Sequence, residues 1–273
     1  MPHSFNVDHD PGAIPPLLEE VIAAHGGRER WERVRTLECR MRFIGRALAM
    51  KFVSPRLRFL HIHADARLLR SVVENFPRAG VRGVFEPDRL WLETNDGVLL
   101  DERLIKRDKD GRVPHRKVWD DFDLLYFFGY VALNYLFAPY LFLLPGFETR
   151  EVAPWRAADG SIWRGLQVRY PPGFPAHCRE QTLYFAADGL LRRLDYTAEP
   201  LSRFARGAHY TEQHKTFAGL TFPTHRRVFV RGPGGRPLRG LAVMEGWIDA
   251  ITVHWQAPQS FPTDPPIDQE IYA

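Results

Sequence analysis

Cysteine is nearly absent from this chain. Cys39 and Cys178 are the only two in 273 residues. They lie far apart and match no metal-ligand spacing, which suits a reducing compartment, although one disulfide between them stays open at this level. A basic arm is missing too. Lys and Arg outnumber Asp and Glu by only 37 to 33, and Arg28, Arg30, Arg33, Arg35, Arg40 and Arg42 alternate with Glu and apolar positions. Dispersed charge of this kind is solvated surface, so no nucleic-acid partner is expected. There is no GxGxxG fingerprint, no P-loop, no G-x-S-x-G elbow and no alternation of strand and helix patterns. Nucleotide chemistry and serine-nucleophile hydrolysis therefore lack their usual carriers, and no cofactor is expected. The first 20 residues, MPHSFNVDHDPGAIPPLLEE, hold acids and prolines but no apolar h-region. That pattern implies a cytoplasmic protein, or a periplasmic one if a signal was removed.

Charge is absent altogether from residues 124–144, LLYFFGYVALNYLFAPYLFLL, in a chain that is otherwise 26% charged. Eight of these 21 residues are Phe or Tyr. Roughly 20 apolar residues suffice to cross a bilayer. However, Pro139 interrupts the run at its sixteenth position and the aromatics spread throughout. Membrane helices gather Trp and Tyr at their two ends. Asp120, Asp121 and Asp123 precede the run, where acids suit a helix N-terminus and Asp an N-cap. The expectation is a helix that does not span a membrane and is buried on every side. Tyr126, Tyr130 and Asn134 fall at i, i+4 and i+8, on one face of that helix. Buried hydroxyl and amide groups need partners, so this stripe must meet the sheet backbone or line a ligand pocket.

The rest of the chain reads mainly as β. Residues 1–14 form a loose tail, and Pro15-Pro16 opens a helix that Gly26-Gly27 ends. A short helical turn, RERWERV, follows. From residue 36 the period is two: TLECRMRFIG, ALAMKFVSP, RLRFLHIHAD, RSVVENFP, GVRGVFEPDRLWLETNDG and VLLDERL. After the uncharged run, IWRGLQVRYP, REQTLYFAADG, LLRRLDYTAE, GAHYTEQHKTFAG, LTFPTHRRVFVR and LAVMEGWIDAITV continue the alternation. About ten short strands with one N-terminal helix and one central helical insertion, at about 119–144, predict a large curved antiparallel sheet or open half-barrel over residues 15–273, with the helices on its concave side.

Three segments give this layout a family likeness. They are AHGGRERW (Ala24, Gly26, Gly27, Trp31), YFAADGLLRRLDY (Tyr184, Phe185, Asp188, Gly189, Leu190, Leu191, Arg192, Arg193, Asp195, Tyr196) and GLTFPTHRRV (Gly219, Leu220, Phe222, Pro223, Thr224, Arg226, Arg227, Val228). With a meander between them they resemble the LolA and LppX group of lipoprotein-carrier half-barrels. The resemblance implies a half-barrel fold enclosing a hydrophobic cavity.

Candidate site residues cluster in AHCREQTLYF, LDY and AHYTEQH. His177, Glu180, Asp195, Tyr196 and His209 are the candidate proton carriers, because a His beside a carboxylate is a usable general base and a Tyr can steady a developing oxyanion. Strand parity puts His177, Arg179 and Gln181 on one face and Cys178 and Glu180 on the other, which argues against a Cys–His nucleophile pair. The same alternation suits a strand face that meets water. Candidate ligand contacts are Tyr126, Tyr130, Asn134, Arg179, Gln181, Tyr210 and Arg227, the last if it is the inward member of Arg226-Arg227. His61 and His63 share a strand face, but with no third ligand in view no metal is expected. Two functions fit. One is binding of a small hydrophobic or amphipathic molecule in the cavity; the alternative is a cofactor-independent isomerase, cyclase or lyase using acid–base chemistry there.

Overall fold

The structure is a computed structural model and describes residues 14–256, apart from 55, 56, 110, 112, 115 and 239. The expected tail at 1–14 therefore falls, but for Ile14, outside the described residues. Helix α1 (Pro16–Ala24) starts at its proline and buries Leu17, Leu18, Val21 and Ile22. After Gly26 and Gly27, both at positive φ, the short helix α2 (Arg28–Glu32) leads into the sheet.

Thirteen strands form one antiparallel sheet. They are β1 (Val34–Gly45), β2 (Leu57–Asp65), β3 (Arg70–Val73), β4 (Val81–Glu86), β5 (Arg89–Thr94), β6 (Leu99–Leu104), β7 (Glu148–Arg156), β8 (Ile162–Arg169), β9 (Glu180–Phe185), β10 (Leu191–Thr197), β11 (Arg206–Phe217), β12 (Leu220–Val230) and β13 (Met244–Trp255). Their order is β6-β5-β4-β3-β2-β1-β13-β12-β11-β10-β9-β8-β7. Two meanders are thus joined where the first strand pairs with the last, Leu37 opposite Val253 and Phe43 opposite Gly246. β6 and β7 are the two edges and do not pair, so the half-barrel is open, as the alternation predicts.

Three details differ from the sequence pattern. ALAMKFVSP is a 3-10 turn over Arg46–Lys51 rather than a strand; Ala47, Leu48 and Ala49 lack alternation, and Phe52 then sits at φ 60, which no strand tolerates. GVRGVFEPDRLWLET is two strands folded at Pro87-Asp88. β7 has no apolar face to betray it: its residues are exposed or only partly covered, and the sequence pattern gives no strand there.

The segment joining the two sheet edges crosses the concave side. Within it lies α3 (Asp121–Phe137), capped by a reciprocal pair in which Asp120 accepts from the Asp123 amide and Asp123 from the Asp120 amide. Pro139 ends it, followed by a 3-10 turn over Tyr140–Leu143. Among the described residues no helix is long and apolar enough to cross a membrane. Instead α3 is buried almost all round, in one core with both halves of the sheet. It lies against β2–β5, with Tyr126 on Phe85 of β4, while Phe128 meets Phe43 of β1 and Phe76 of the β3–β4 turn edge-on. At its far end Phe137 and Tyr140 pack on Trp31, the latter ring parallel at 4.4 Å.

Glycine sets how close α3 can come. A Cβ on Gly129 would fall 2.3 Å from Phe85 Cγ, and one on Gly83 of β4 would fall 2.7 Å from Leu125 Cδ1. The interface between helix and strands is therefore jammed, with no void to absorb a methyl group. Alanine ordinarily stabilises a helix interior by about 1 kcal/mol over glycine. Here the sign reverses: Gly129→Ala is expected to lower stability by about 1–3 kcal/mol through overpacking, read as the shift in a chemical-denaturation midpoint.

Candidate functional site

Strand parity sorts the candidates between two faces of the sheet. On β12, Phe222, Thr224, Arg226 and Val228 are buried toward the concave side, while Arg227 points out and pairs with Glu212. The inward arginine is thus Arg226, the reverse of the expected choice; the apolar partners two residues either side of it carried the signal. On β10, Leu194 and Tyr196 face in and Arg193 and Asp195 face out. Asp195 receives Arg193 Nε at 2.6 Å and Nη2 at 2.9 Å beneath the Trp155 ring, and Arg193 Nη1 also donates to Tyr210 Oη at 3.1 Å. Asp195 and Tyr210 therefore belong to a buried ion-pair cluster on the convex side, away from His177. Glu180 is exposed and takes a hydrogen bond from Gln167 Nε2; Arg179 is exposed as well. Gln181 is buried and donates to the Cys178 carbonyl.

What does converge, inside the trough, is a set of phenols and imidazoles. Tyr130 Oη lies 3.0 Å from His177 Nδ1, and Tyr135 Oη lies 3.0 Å from His177 Nε2. Tyr135 Oη also reaches His209 Nδ1 at 3.3 Å, and Tyr196 Oη reaches the same nitrogen at 3.4 Å. The Tyr196 ring stacks on His177 at 4.2 Å and 7°. Arg226 closes the cluster, its guanidinium 4.3 Å from the Tyr135 ring centre and Nη2 donating to the Tyr135 carbonyl at 3.3 Å. The polar stripe on α3 meets the 171–178 loop: Asn134 Nδ2 donates to the Tyr130 and Pro175 carbonyls. Sequence reasoning missed Tyr135, the hub, because it lies one residue off the i, i+4, i+8 stripe. The parity of β11 and β12 was its signal, since His209 and Arg226 both need an inward partner.

No carboxylate joins His177 or His209 among the described residues. Burial drives the His177 pKa down to about 3 and holds that of His209 well below the ordinary value, the Arg226 charge adding to the effect. Both rings are neutral at physiological pH. A neutral imidazole has one N–H and one lone pair, so on His177 one tyrosine accepts and the other donates. His177 is thereby a saturated hydrogen-bond hub. The orienting carboxylate that a His general base uses is absent from this cluster; the His–carboxylate pairs, His61–Glu38 at 2.7 Å and His225–Glu245 at 2.8 Å, lie on the other face of the sheet. His61 and His63 stand 4.7 Å apart there, and among the described residues no group of three or more His, Cys, Asp or Glu is placed to hold a metal. Cys39 and Cys178 are free thiols, and burial pushes the Cys178 thiol up to about 11. Burial pulls Arg226 down to about 10, still a cation without a carboxylate.

The cluster borders two clefts at the end of the trough opposite α1, with His177 reaching both and Tyr196 one of them. An apolar cleft of about 440 Å³ has a buried floor of Phe127, His177, Tyr196, Leu201 and Val228. Its mouth is formed by exposed residues of the 46–51 turn, the 198–206 turn and the end of β12, among them Arg46, Met50, Phe204, Arg206 and Val230. A more polar cleft of about 840 Å³ lies beyond the 199–203 turn, lined by Arg107, Tyr126, His177, Cys178, Arg179 and Glu199. Tyr126 and Arg179 therefore share a cleft, while Tyr130 and Asn134 are spent inside the core.

No family model matches the chain, and no curated protein matches it. Among solved structures it is similar to a DUF1329 family protein from Desulfovibrio piger at 10% identity, over 87% of this chain and 91% of that one, with a TM-score of 0.49. It is also similar to a LolA superfamily protein from Nitrosomonas europaea at 10% identity, over 89% of this chain and 93% of that one, with a TM-score of 0.47. The second bears the family name that the three sequence segments resemble.

Replacing His177 by Phe strands the buried Tyr130 hydroxyl and leaves Tyr135 only its contact with His209, and the expected loss of stability is on the order of 1–3 kcal/mol. The pH dependence has a definite sign. An unfolded His takes up a proton below about pH 6.5, but folded His177 resists it until about pH 3. Its contribution is therefore complete above pH 6.5 and is lost as pH falls from there toward 3. Denaturation midpoints of His177→Phe, measured from pH 7 to 4, are expected to vary less steeply than those of the parent, by up to about 1.4 kcal/mol per pH unit.

Proposed function

We propose that the protein binds a small amphipathic molecule in the 440 Å³ cleft, with its apolar body on Phe127, Leu201, Val228 and Met244 and its polar or anionic group at the mouth beside Arg46 and Arg206. The observation that carries this reading is the grading of the cleft wall: buried, aromatic and aliphatic at the floor, cationic at the rim, and among the described residues without an acidic side chain in its lining. The volume falls in the range of about 300–1,000 Å³ typical of small-molecule pockets. The polar groups at the floor do not repel an apolar ligand, because both nitrogens of His177 are occupied by tyrosines and only ring faces are left to contact it. This reading moves the head group from the interior polar stripe to the mouth, since Tyr130 and Asn134 have no free side toward the cleft.

The reading is tested by titrating the protein with fluorescent fatty acids of graded chain length and with the matching alcohols. Each buried methylene contributes about 0.8 kcal/mol, so affinity is expected to rise roughly tenfold for every two carbons until the cleft is full. Acids are expected to bind more tightly than alcohols. Ala205→Trp, which places an indole in the cleft wall, is expected to weaken binding at least tenfold without lowering the melting temperature. Binding that ignores chain length, or that survives Ala205→Trp unchanged, defeats the assignment.

A further inference from the structure

The mouth of the cleft is surrounded by apolar side chains that the fold leaves in water. Met50 is 56% exposed, Phe52 70%, Phe204 73% and Leu241 76%. Met50 and Phe204 line the cleft itself. Phe52 ends the 3-10 turn that carries Met50, its amide bonded to the Ala49 carbonyl. Leu241 lies two residues before Val243, whose amide and carbonyl tie β12 to that same turn through Val228 and Ala47. Met50 and Phe204 thus stand at the opening, and Phe52 and Leu241 are carried by the two segments that are tied together beside it. Isolated exposed apolar residues are ordinary, but a contiguous set around a pocket marks an interaction surface.

The charged residues that line the apolar cleft, Arg46 and Arg206, are both basic, and Arg203 adds a third cation on the same turn as Arg206, with Glu199 turned to the polar cleft beyond it. Arg46, Arg203 and Arg206 are all exposed, and among the described residues none of them is in an ion pair; Arg203 lies over the Phe204 ring at 4.7 Å. Elsewhere on the sheet most arginines are matched, as in Arg42–Asp249, Arg82–Glu93 and Arg164–Glu151. The described chain begins at Ile14 before α1 and its last residue, Gln256, bonds the Arg33 carbonyl through its amide at the other end of the strands.

We infer that this end of the half-barrel docks on a lipid bilayer bearing anionic headgroups, the arginines meeting the headgroups while Met50, Phe52, Phe204 and Leu241 enter the interfacial layer. Side chains of this kind anchor peripheral proteins when apolar insertion and basic charge act together, and neither alone holds well. The inference adds to the cleft reading a place from which the ligand is taken, but it rests on the rim and not on the floor. With the mouth pressed to a bilayer, an acyl chain passes from lipid to the 440 Å³ cleft without crossing water.

Sedimentation of the intact protein with vesicles tests it. Vesicles of phosphatidylcholine and phosphatidylglycerol at about two to one are expected to bind it at least tenfold more tightly than phosphatidylcholine alone, with the difference shrinking at high salt. Arg203→Glu is expected to weaken that binding by more than the roughly fivefold that one neutralised arginine costs, and Phe52→Ser with Leu241→Ser by at least tenfold. None of these three residues lines the apolar cleft, so soluble fatty-acid titration of the same variants is expected to be unchanged. Vesicle binding with no fatty-acid binding would overturn the cleft reading and leave the docking surface standing; fatty-acid binding with no vesicle binding would do the reverse. Vesicle binding that is indifferent to all three substitutions overturns the surface assigned here. So does a dimer in sedimentation velocity that Phe52→Ser and Leu241→Ser dissolve, if the monomer then binds no vesicles, because the rim would then be a contact between two copies.

Discussion

The contact of Gly129 with Phe85 governs the placement of everything else inside the sheet. A segment without charge over 21 residues has to leave water, and the sheet offers a trough but no closed interior. Because β6 and β7 are the two edges of that trough, the chain between them must cross it whatever its sequence. An apolar crossing segment then becomes the core that both meanders share. The approach of helix to strand is set by two missing side chains, at Gly129 and Gly83, and that approach brings the opposite face of α3 within hydrogen-bond reach of the far half of the sheet.

The polar cluster follows from that placement. Tyr130, Asn134 and Tyr135 cannot reach water, so each must find a partner among whatever the sheet and the 171–178 loop present. What they present is His177, His209, Tyr196 and Arg226. The outcome is a chain of phenol and imidazole groups, all neutral, with one cation at its border. Neutrality is the physical consequence of burial: desolvation alone holds His177 neutral, and charging His209 would add repulsion from Arg226 to that cost. The cluster therefore joins the two halves of the molecule through hydrogen bonds that tolerate no substitution by size alone.

Much of the fold was legible, because it rests on two periodicities. The helix start at Pro16, the Asp120 cap, the break at Pro139 and the parity of β2 and β11 all follow from local chemistry. The site was less so. Asp195 and Tyr196 are neighbours in sequence and so point to opposite faces, yet both look chemically eligible; only the register of β10 against β9 and β11, with its irregularity between Leu191 and Arg193, decides which faces the trough. Arg226 and Arg227 pose the same problem, and Phe222 and Val228 resolve it once the strand is known to be regular. Tyr135 could not be chosen from α3 alone, because a helix buried all round has no outward face from which to count. Strand β7 was invisible for the opposite reason: an edge strand whose faces both meet water has no alternation to read.

Length accounts for the two clefts at the end of the trough opposite α1. A helix of 17 residues extends about 25 Å. Strands of 12 residues, such as β1, β11 and β13, run to about 40 Å. α3 and the 3-10 turn after it occupy the end nearest α1 and α2, where Trp31 seals the trough against Tyr140. The shortfall accumulates at the other end, and there the last apolar floor residues, Phe127 and Val228, give way directly to Met50 and Phe204 in water. A helix long enough to fill the trough from end to end would have covered those side chains. Their exposure is thus a property of the mismatch between helix and strand, fixed by the lengths of the two elements and not by the composition of the turns that carry them.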